Sequence, residues 1–141
     1  MTQTLNIIVD ISRCTGCRMC ELVCAVYHEG AVNLDGARIR IRDDYEHSLF
    51  EPHICQLCDP PPCVDSCPMV ALKQDSQTKV INVNDQLCDG CEACVQACPY
   101  DAIWWSQRIN RLFVCDRCEG EPICVQFCTS KALQVGFAQV F

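Results

Sequence analysis

The chain has 141 residues and a formal charge of −7, and its 50% hydrophobic share includes 16 Cys. Without those cysteines only about 38% remains, below the usual apolar share of a globular domain, so a purely apolar core is excluded and a covalent or metal scaffold is indicated. A pI of about 4.8 excludes a general nucleic-acid binder, which would carry a basic face.

No apolar run approaches the roughly 18–20 residues of a membrane span. Neither a basic leader nor twin arginines precede Ile7-Ile8-Val9, so the expected compartment is the cytoplasm, where disulfides are rare.

In chain order, residues 5–10 read as a strand. It leads into Cys14, Cys17, Cys20 and Cys24, spaced C-x2-C-x2-C-x3-C. Residues 37–42 alternate strictly, which predicts a strand with Arg38, Arg40 and Arg42 on one face. That face reads as a solvated hairpin surface, with a docking edge for an acidic partner as the alternative. His28, His47 and His53 share no ligand spacing, and His53, two residues before Cys55, reads as a surface residue rather than a donor to sulfur. The second quartet is Cys55, Cys58, Cys63 and Cys67, spaced C-x2-C-x4-C-x3-C and followed by Pro68.

Residues 80–83 read as a further short strand. The third quartet, Cys88, Cys91, Cys94 and Cys98, repeats the spacing of the first and is followed by Pro99. Trp104, Trp105 and Phe113 then read as shields against water, with an interface as the alternative. The fourth quartet is Cys115, Cys118, Cys124 and Cys128, spaced C-x2-C-x5-C-x3-C. Residues 133–137 read as a strand expected to pair with the first. The apolar end at Val140 and Phe141 is either free or buried against another chain.

No cysteine is left over, and the quartets repeat. A shift of 74 residues lays Ile7-Ile8-Val9 on Ile81-Asn82-Val83 and Cys17 on Cys91; a shift of 60 lays Cys55 and Cys58 on Cys115 and Cys118. The closes recur as well, in Cys67…Ala71-Leu72, Cys98…Ala102-Ile103 and Cys128…Ala132-Leu133. The order is A-B-A′-B′, a two-motif unit met twice.

A cubane [4Fe–4S] cluster needs four thiolates at the corners of a tetrahedron. Three cysteines at short intervals on a loop wrap one face of it, and Gly16 and Gly90 supply the flexible position between the first two. In the bacterial C-x2-C-x2-C-x3-C-P run the fourth cysteine serves the other cluster of a pair. Zinc is the nearest rival, but its sites come as two separated C-x2-C knuckles. A disulfide scaffold needs an oxidising compartment, and redox-active C-x2-C thiols leave the third and fourth cysteines without a role. No phosphate loop, no flavin or nicotinamide fingerprint and no nucleophile with a His/Asp pair is present, so the chain is not expected to catalyse alone.

The chain resembles the four-cluster, ferredoxin-like electron-transfer subunits of molybdenum and tungsten oxidoreductases, such as formate dehydrogenases and aldehyde oxidoreductases, and of hydrogenases and carbon monoxide dehydrogenases. Cys55-Gln-Leu-Cys58-Asp-Pro-Pro-Pro-Cys63 and Cys115-Asp-Arg-Cys118-Glu-Gly-Glu-Pro-Ile-Cys124 carry that resemblance beyond ferredoxins at large. It implies an α+β, duplicated bacterial-ferredoxin-like fold, small and loop-rich, over residues 1–141 as one polyferredoxin unit. Motifs 14–24 and 115–128 would form an outer cluster pair and motifs 55–67 and 88–98 an inner pair.

The ligand sets it implies are Cys14, Cys17, Cys20 with Cys128; Cys115, Cys118, Cys124 with Cys24; Cys55, Cys58, Cys63 with Cys98; and Cys88, Cys91, Cys94 with Cys67. Ala25 and Thr129 stand after Cys24 and Cys128 where proline is expected, a departure confined to the outer pair. Four clusters in series make a wire between a catalytic subunit and an electron acceptor or donor. The leaning is to a tungsten or molybdenum aldehyde oxidoreductase; formate dehydrogenase, hydrogenase, carbon monoxide dehydrogenase or a free soluble polyferredoxin are the alternatives. A flavin subunit or further copies of the chain are further partners considered; nucleic acid and a direct membrane span are not. Each oxidised cubane with four thiolates adds about −2, which brings a loaded chain to roughly −15 and favours a positively charged partner.

Overall fold

In the computed structural model, which describes residues 4–138, the first and last described strands meet in one ribbon. β1 (Thr4–Val9) pairs antiparallel with β8 (Leu133–Ala138), from Thr4↔Ala138 to Val9↔Leu133. The expected pairing of the first and last strands is therefore present. Ile7 and Leu133 hold it by turning their side chains into the core. Val140 and Phe141 lie outside the described residues.

Three further ribbons are hairpins: β2 (Arg40–Asp44) with β3 (Leu49–His53), β4 (Leu72–Gln74) with β5 (Ile81–Val83), and β6 (Trp104–Ser106) with β7 (Arg111–Phe113). The strand expected over residues 37–42 starts only at Arg40. Ala37 and Ile39 are fully buried, and the Arg38 N–H donates to the Cys24 sulfur at 3.2 Å instead of to a ladder. Nor is the arginine face a solvated one. Arg38 lies over the Phe113 ring at 5.3 Å and Arg40 over Trp104 at 4.8 Å; only Arg42 stays half-exposed, paired with Asp101. Each guanidinium buries its stem and puts its plane on an aromatic face, so alternation here packs one hairpin against the next.

Each helix carries the third cysteine of a quartet. α2 (Pro62–Ser66), α3 (Ala93–Ala97) and α4 (Ile123–Phe127) each span five residues and stop at the fourth cysteine. After Pro68 and Pro99 this is expected, because proline cannot continue a helix. α4 stops at the same point without one. All three share a turn in which Val70, Asp101 or Lys131 adopts positive φ (52°, 53° and 61°) and donates its N–H to the cysteine carbonyl at 3.3–3.4 Å.

α1 (Met19–Glu29) differs. Ala25 lets it run through Cys24 for 11 residues, to a left-handed Gly30 whose N–H closes on the Val26 carbonyl at 2.9 Å, the usual glycine stop. Buried Glu21 on α1 accepts from the Ile41 N–H at 2.9 Å and from Arg18 at 3.0 Å, and Arg18 also holds both Asp43 oxygens at 3.1 Å. This network docks β2 on α1. α1 packs against α4, and α2 against α3. Among the described residues, no helix is long and apolar enough to cross a membrane.

Candidate metal centres

The four quartets fold as loop-then-helix, and the geometry follows from chirality. The residue before the second cysteine is left-handed in every loop: Gly16 at φ 71°, Leu57 at 53°, Gly90 at 77° and Arg117 at 62°. Left-handed backbone turns the following N–H groups inward and presents the sulfurs on one side of the loop.

Three cavities result. One is lined by Cys14, Cys17, Cys20 and Cys128, a second by Cys67, Cys88, Cys91 and Cys94, and a third by Cys55, Cys58, Cys63 and Cys98. In each, three cysteines come from one loop and the fourth from the loop paired with it. The three hollows are small and alike in size, as sites for copies of one body should be. Of the remaining four, burial first, and then the neighbouring Cys115, Cys24 and Cys118 sulfurs, push the Cys124 thiol up. None of the 16 is paired in a disulfide.

Burial governs their ionisation. It pushes Cys20 and Cys55 up to about 12 and Cys94 and Cys118 to about 11, with neighbouring sulfurs adding to the rise. Cys14, Cys58, Cys63, Cys115 and Cys124 are raised for the same first reason. Thiolates crowded like this need a positive centre among them. Cys128 is the exception: burial works against its charge, but the Leu133 N–H and the Ser130 hydroxyl, followed by Ala132 and Lys131, lower it.

Fixed donors point at the sulfurs. The Ala71 N–H donates to Cys67 Sγ at 3.3 Å and the Ala102 N–H to Cys98 Sγ at 3.4 Å, with Ala132 in the same relation to Cys128. The recurring Cys-x3-Ala close is thereby explained: the alanine supplies the N–H, and its small side chain is fully buried against the loop. Cys24 has His28 at the corresponding place and takes its donor from Arg38 instead. Cysteines gathered in fours and N–H donors aimed at sulfur fit a thiolate-bound iron–sulfur cluster, whose potential such donors tune.

Two groups were not visible in the sequence alone. His28, one helical turn beyond Cys24, has Nδ1 at 2.9 Å from the Cys24 carbonyl and Nε2 at 2.9 Å from Asp116. Burial disfavours its charge, yet the bonds to Asp116 and Cys24 lift it to about 9, while Asp116 is drawn down to about 2, against its own burial, by His28 and the Cys118 N–H. The i, i+4 spacing from Cys24 on a helix was the available signal. Arg117 is the other, buried between Cys115 and the Cys55 carbonyl. His53, expected at the surface, is largely covered and binds the Tyr100 carbonyl at 2.9 Å rather than a sulfur. Of the aromatics, Trp105 lines the Cys67/88/91/94 cavity, whereas Trp104 and Phe113 carry the arginines of the 37–42 segment.

Residues 46–138 match the 4Fe-4S dicluster domain family. The polyferredoxin-like subunit of the aliphatic sulfonate oxidoreductase of Pyrococcus furiosus is 37% identical over 122 residues, covering 86% of this chain and 70% of that protein. A subunit of the anaerobic dimethyl sulfoxide reductase of Escherichia coli is 32% identical over 154 residues, covering 96% of this chain and 75% of that subunit. Among solved structures, a component of the active-site complex BamBC of benzoyl coenzyme A reductase with 1,5-dienoyl-CoA superposes with a TM-score of 0.58 at 23% identity, over 98% of this chain and 78% of that one. It shares the fold.

Proposed function

The chain therefore belongs to the 4Fe-4S dicluster domain family, and from that premise we propose that it is the electron-transfer subunit of an oxidoreductase complex, carrying four [4Fe–4S] clusters and catalysing nothing alone. The observation that carries this reading is the gathering of 12 cysteines, four by four, around three separate cavities. The ligand sets are those the sequence resemblance implies, with Cys24, Cys115, Cys118 and Cys124 as the fourth. The fold is a duplicated α+β ferredoxin unit, its outer cluster pair held between α1 and α4 and its inner pair between α2 and α3.

When bound, each cluster supplies a one-electron couple. The chain sets the order in which those couples meet. Cys20 acts electrostatically on Cys124, which joins the two outer sites. Cys115 acts on Cys55, which joins outer to inner. The series then runs from the Cys14/17/20/128 site, through the Cys24/115/118/124 and Cys55/58/63/98 sites, to the Cys67/88/91/94 site. Cys17 and Cys91, the two exposed cysteines among the 16, fall on the two terminal sites. Electrons would enter and leave there, and buried Ile54, Ile103 and Phe113 keep water from the interior.

One end would face a catalytic subunit of molybdenum or tungsten type. The other is left for an acceptor or donor, such as a flavin subunit or a further copy of the chain. Elemental analysis of the complex isolated anaerobically tests the reading. About 16 Fe per chain, with stoichiometric molybdenum or tungsten, is expected from four cubanes; zinc in place of iron would overturn it.

A further inference from the structure

Arg117 is only 2% exposed and lies where the outer and inner halves meet. The 60-residue shift that lays Cys55 on Cys115 lays Leu57 on Arg117. Both are buried and both have left-handed backbone, yet one is apolar and the other cationic. Nothing in the loop's geometry demands an arginine, since leucine serves in the sister loop.

Its guanidinium spans the junction. Nη1 donates to the Cys115 sulfur at 3.3 Å, and Nη2 donates to Asn6 Oδ1 at 2.6 Å and to the Cys55 carbonyl oxygen. Nε is buried with no acceptor among the described residues. Among those residues Arg117 also forms no ion pair, unlike Arg18, Arg38, Arg42, Arg108 and Arg111. A guanidinium keeps its charge, and a buried charge without a partner is costly. Its surroundings must therefore supply negative charge, and on both sides stand sulfur cages.

We propose that Arg117 is the counter-charge between the second and third clusters of the series, and that it holds the potential of the cluster at Cys24, Cys115, Cys118 and Cys124 above the potentials of its neighbours. The inference rests on the four-cluster reading above. Reduction adds one electron, arriving from the adjacent cluster, and makes the site one unit more negative; no bond forms or breaks and no proton moves at Arg117. A fixed cation donating to the ligand sulfur stabilises that added charge more than it stabilises the oxidised state. The effect is larger at Cys115, whose sulfur Arg117 reaches directly, than at Cys55, where Arg117 bonds the backbone carbonyl and its charge acts on the sulfur without a hydrogen bond. Electrons crossing the chain would then rest in its interior, away from both exposed ends. Arg117 is a positioning residue: it touches the ligand sulfur and acts through it.

Redox titration of the anaerobically loaded full chain, followed by electron paramagnetic resonance, tests this with Arg117→Met and Arg117→Lys. In Arg117→Met, the cluster held through Cys115 is expected to become at least tenfold harder to reduce, about 59 mV for a one-electron couple, while the cluster held through Cys55 shifts less and the two terminal clusters keep their potentials. Arg117→Lys, which retains the charge, restores most of the shift. Four unchanged potentials at full iron loading would overturn the proposal and leave the four-cluster reading intact, whereas a wild-type chain without iron would overturn that reading itself.

If Arg117→Met fails to retain iron, the wild-type chain decides the matter. With arginine labelled by nitrogen-15 at the guanidinium, one reduced cluster is expected to show hyperfine coupling to the label; no coupling overturns the proposal.

Discussion

Gly90→Ala measures how tightly the loops close on the cysteines. Gly90 stands between Cys88 and Cys91 at φ +77°, and a Cβ there would lie 2.8 Å from the Trp105 ring. Gly30, at the end of α1, has nearly the same φ, +70°, with nothing within 4 Å of its Cβ position. The pair therefore separates backbone strain from steric conflict. An L side chain at positive φ costs about 1–2 kcal/mol, offset by about 0.4–1 kcal/mol from a stiffer unfolded chain, so Gly30→Ala costs on the order of 1 kcal/mol. Gly90→Ala adds a displaced Trp105, about 0.5–1.5 kcal/mol for a side chain forced off its rotamer. The assay is loss of visible absorbance in denaturant under anaerobic conditions. The additional ~1 kcal/mol corresponds to bleaching about fivefold faster than in Gly30→Ala, confined to about one quarter of the amplitude, that of a single cluster among four. Equal rates in the two variants, or a faster Gly30→Ala, would refute the claim that Trp105 presses on this loop. Gly16→Ala, whose Cβ would lie 2.6 Å from the Phe50 ring, should follow Gly90→Ala.

The His28–Asp116 pair makes stability depend on pH in a defined window. His28 is raised from 6.5 to about 9 and Asp116 lowered from 3.8 to about 2. The histidine's contribution is complete below about 6.5 and lost as pH rises through about 9; the carboxylate's is complete above about 4 and lost as pH falls through about 2. Bleaching of His28→Gln relative to wild type should be fastest near pH 5–6 and converge on wild type above about pH 9, whereas a ratio flat in pH would contradict the pairing. Glu21→Ala strips the Ile41 N–H and Arg18 of their buried partner and should cost about 1–3 kcal/mol, read as a lower denaturation midpoint with iron content initially unchanged. Iron removal should unfold the chain and expose 16 titratable thiols, because the cysteines form much of the core. Since burial raises most of those thiols, loading should release protons, and cluster loss on acidification should be steeper than a set of ordinary thiols would give.

The cysteine grouping was legible because it is local. C-x2-C-x2-C-x3-C forces three sulfurs onto one loop, and the fourth onto a helix end aimed elsewhere. What is not local was missed. Arg38 and Arg40 read as surface residues because alternation says which side chains share a face, not what that face meets; Phe113 and Trp104, more than 60 positions on, settle it. Arg117 was invisible for the same reason, as its contacts reach back to Asn6 and Cys55. The strand over residues 37–42 was placed early because propensity knows nothing of a thiolate that takes the Arg38 N–H.

The missing prolines show how one sequence signal can have two meanings. Thr129 replaces a proline with no structural consequence, because the turn after Cys128 is held by the Lys131 N–H just as those after Cys67 and Cys98 are held by Val70 and Asp101. Ala25 replaces one with a large consequence. The helix continues past Cys24, loses the Cys-x3-Ala donor and gains His28, and the sulfur must be served from a distant segment by Arg38. That segment belongs to the 30 residues between the first two quartets, where only 16 separate the third from the fourth. The departures with structural consequences thus gather around Cys24, Cys115, Cys118 and Cys124: the extended helix, the Arg38 donor, the His28–Asp116 pair and the Arg117 cation. Two halves folded by one rule would give sites of matched potential, and a wire of equal steps has no interior rest. Where the copies differ is where the chain can set one cluster apart from the rest.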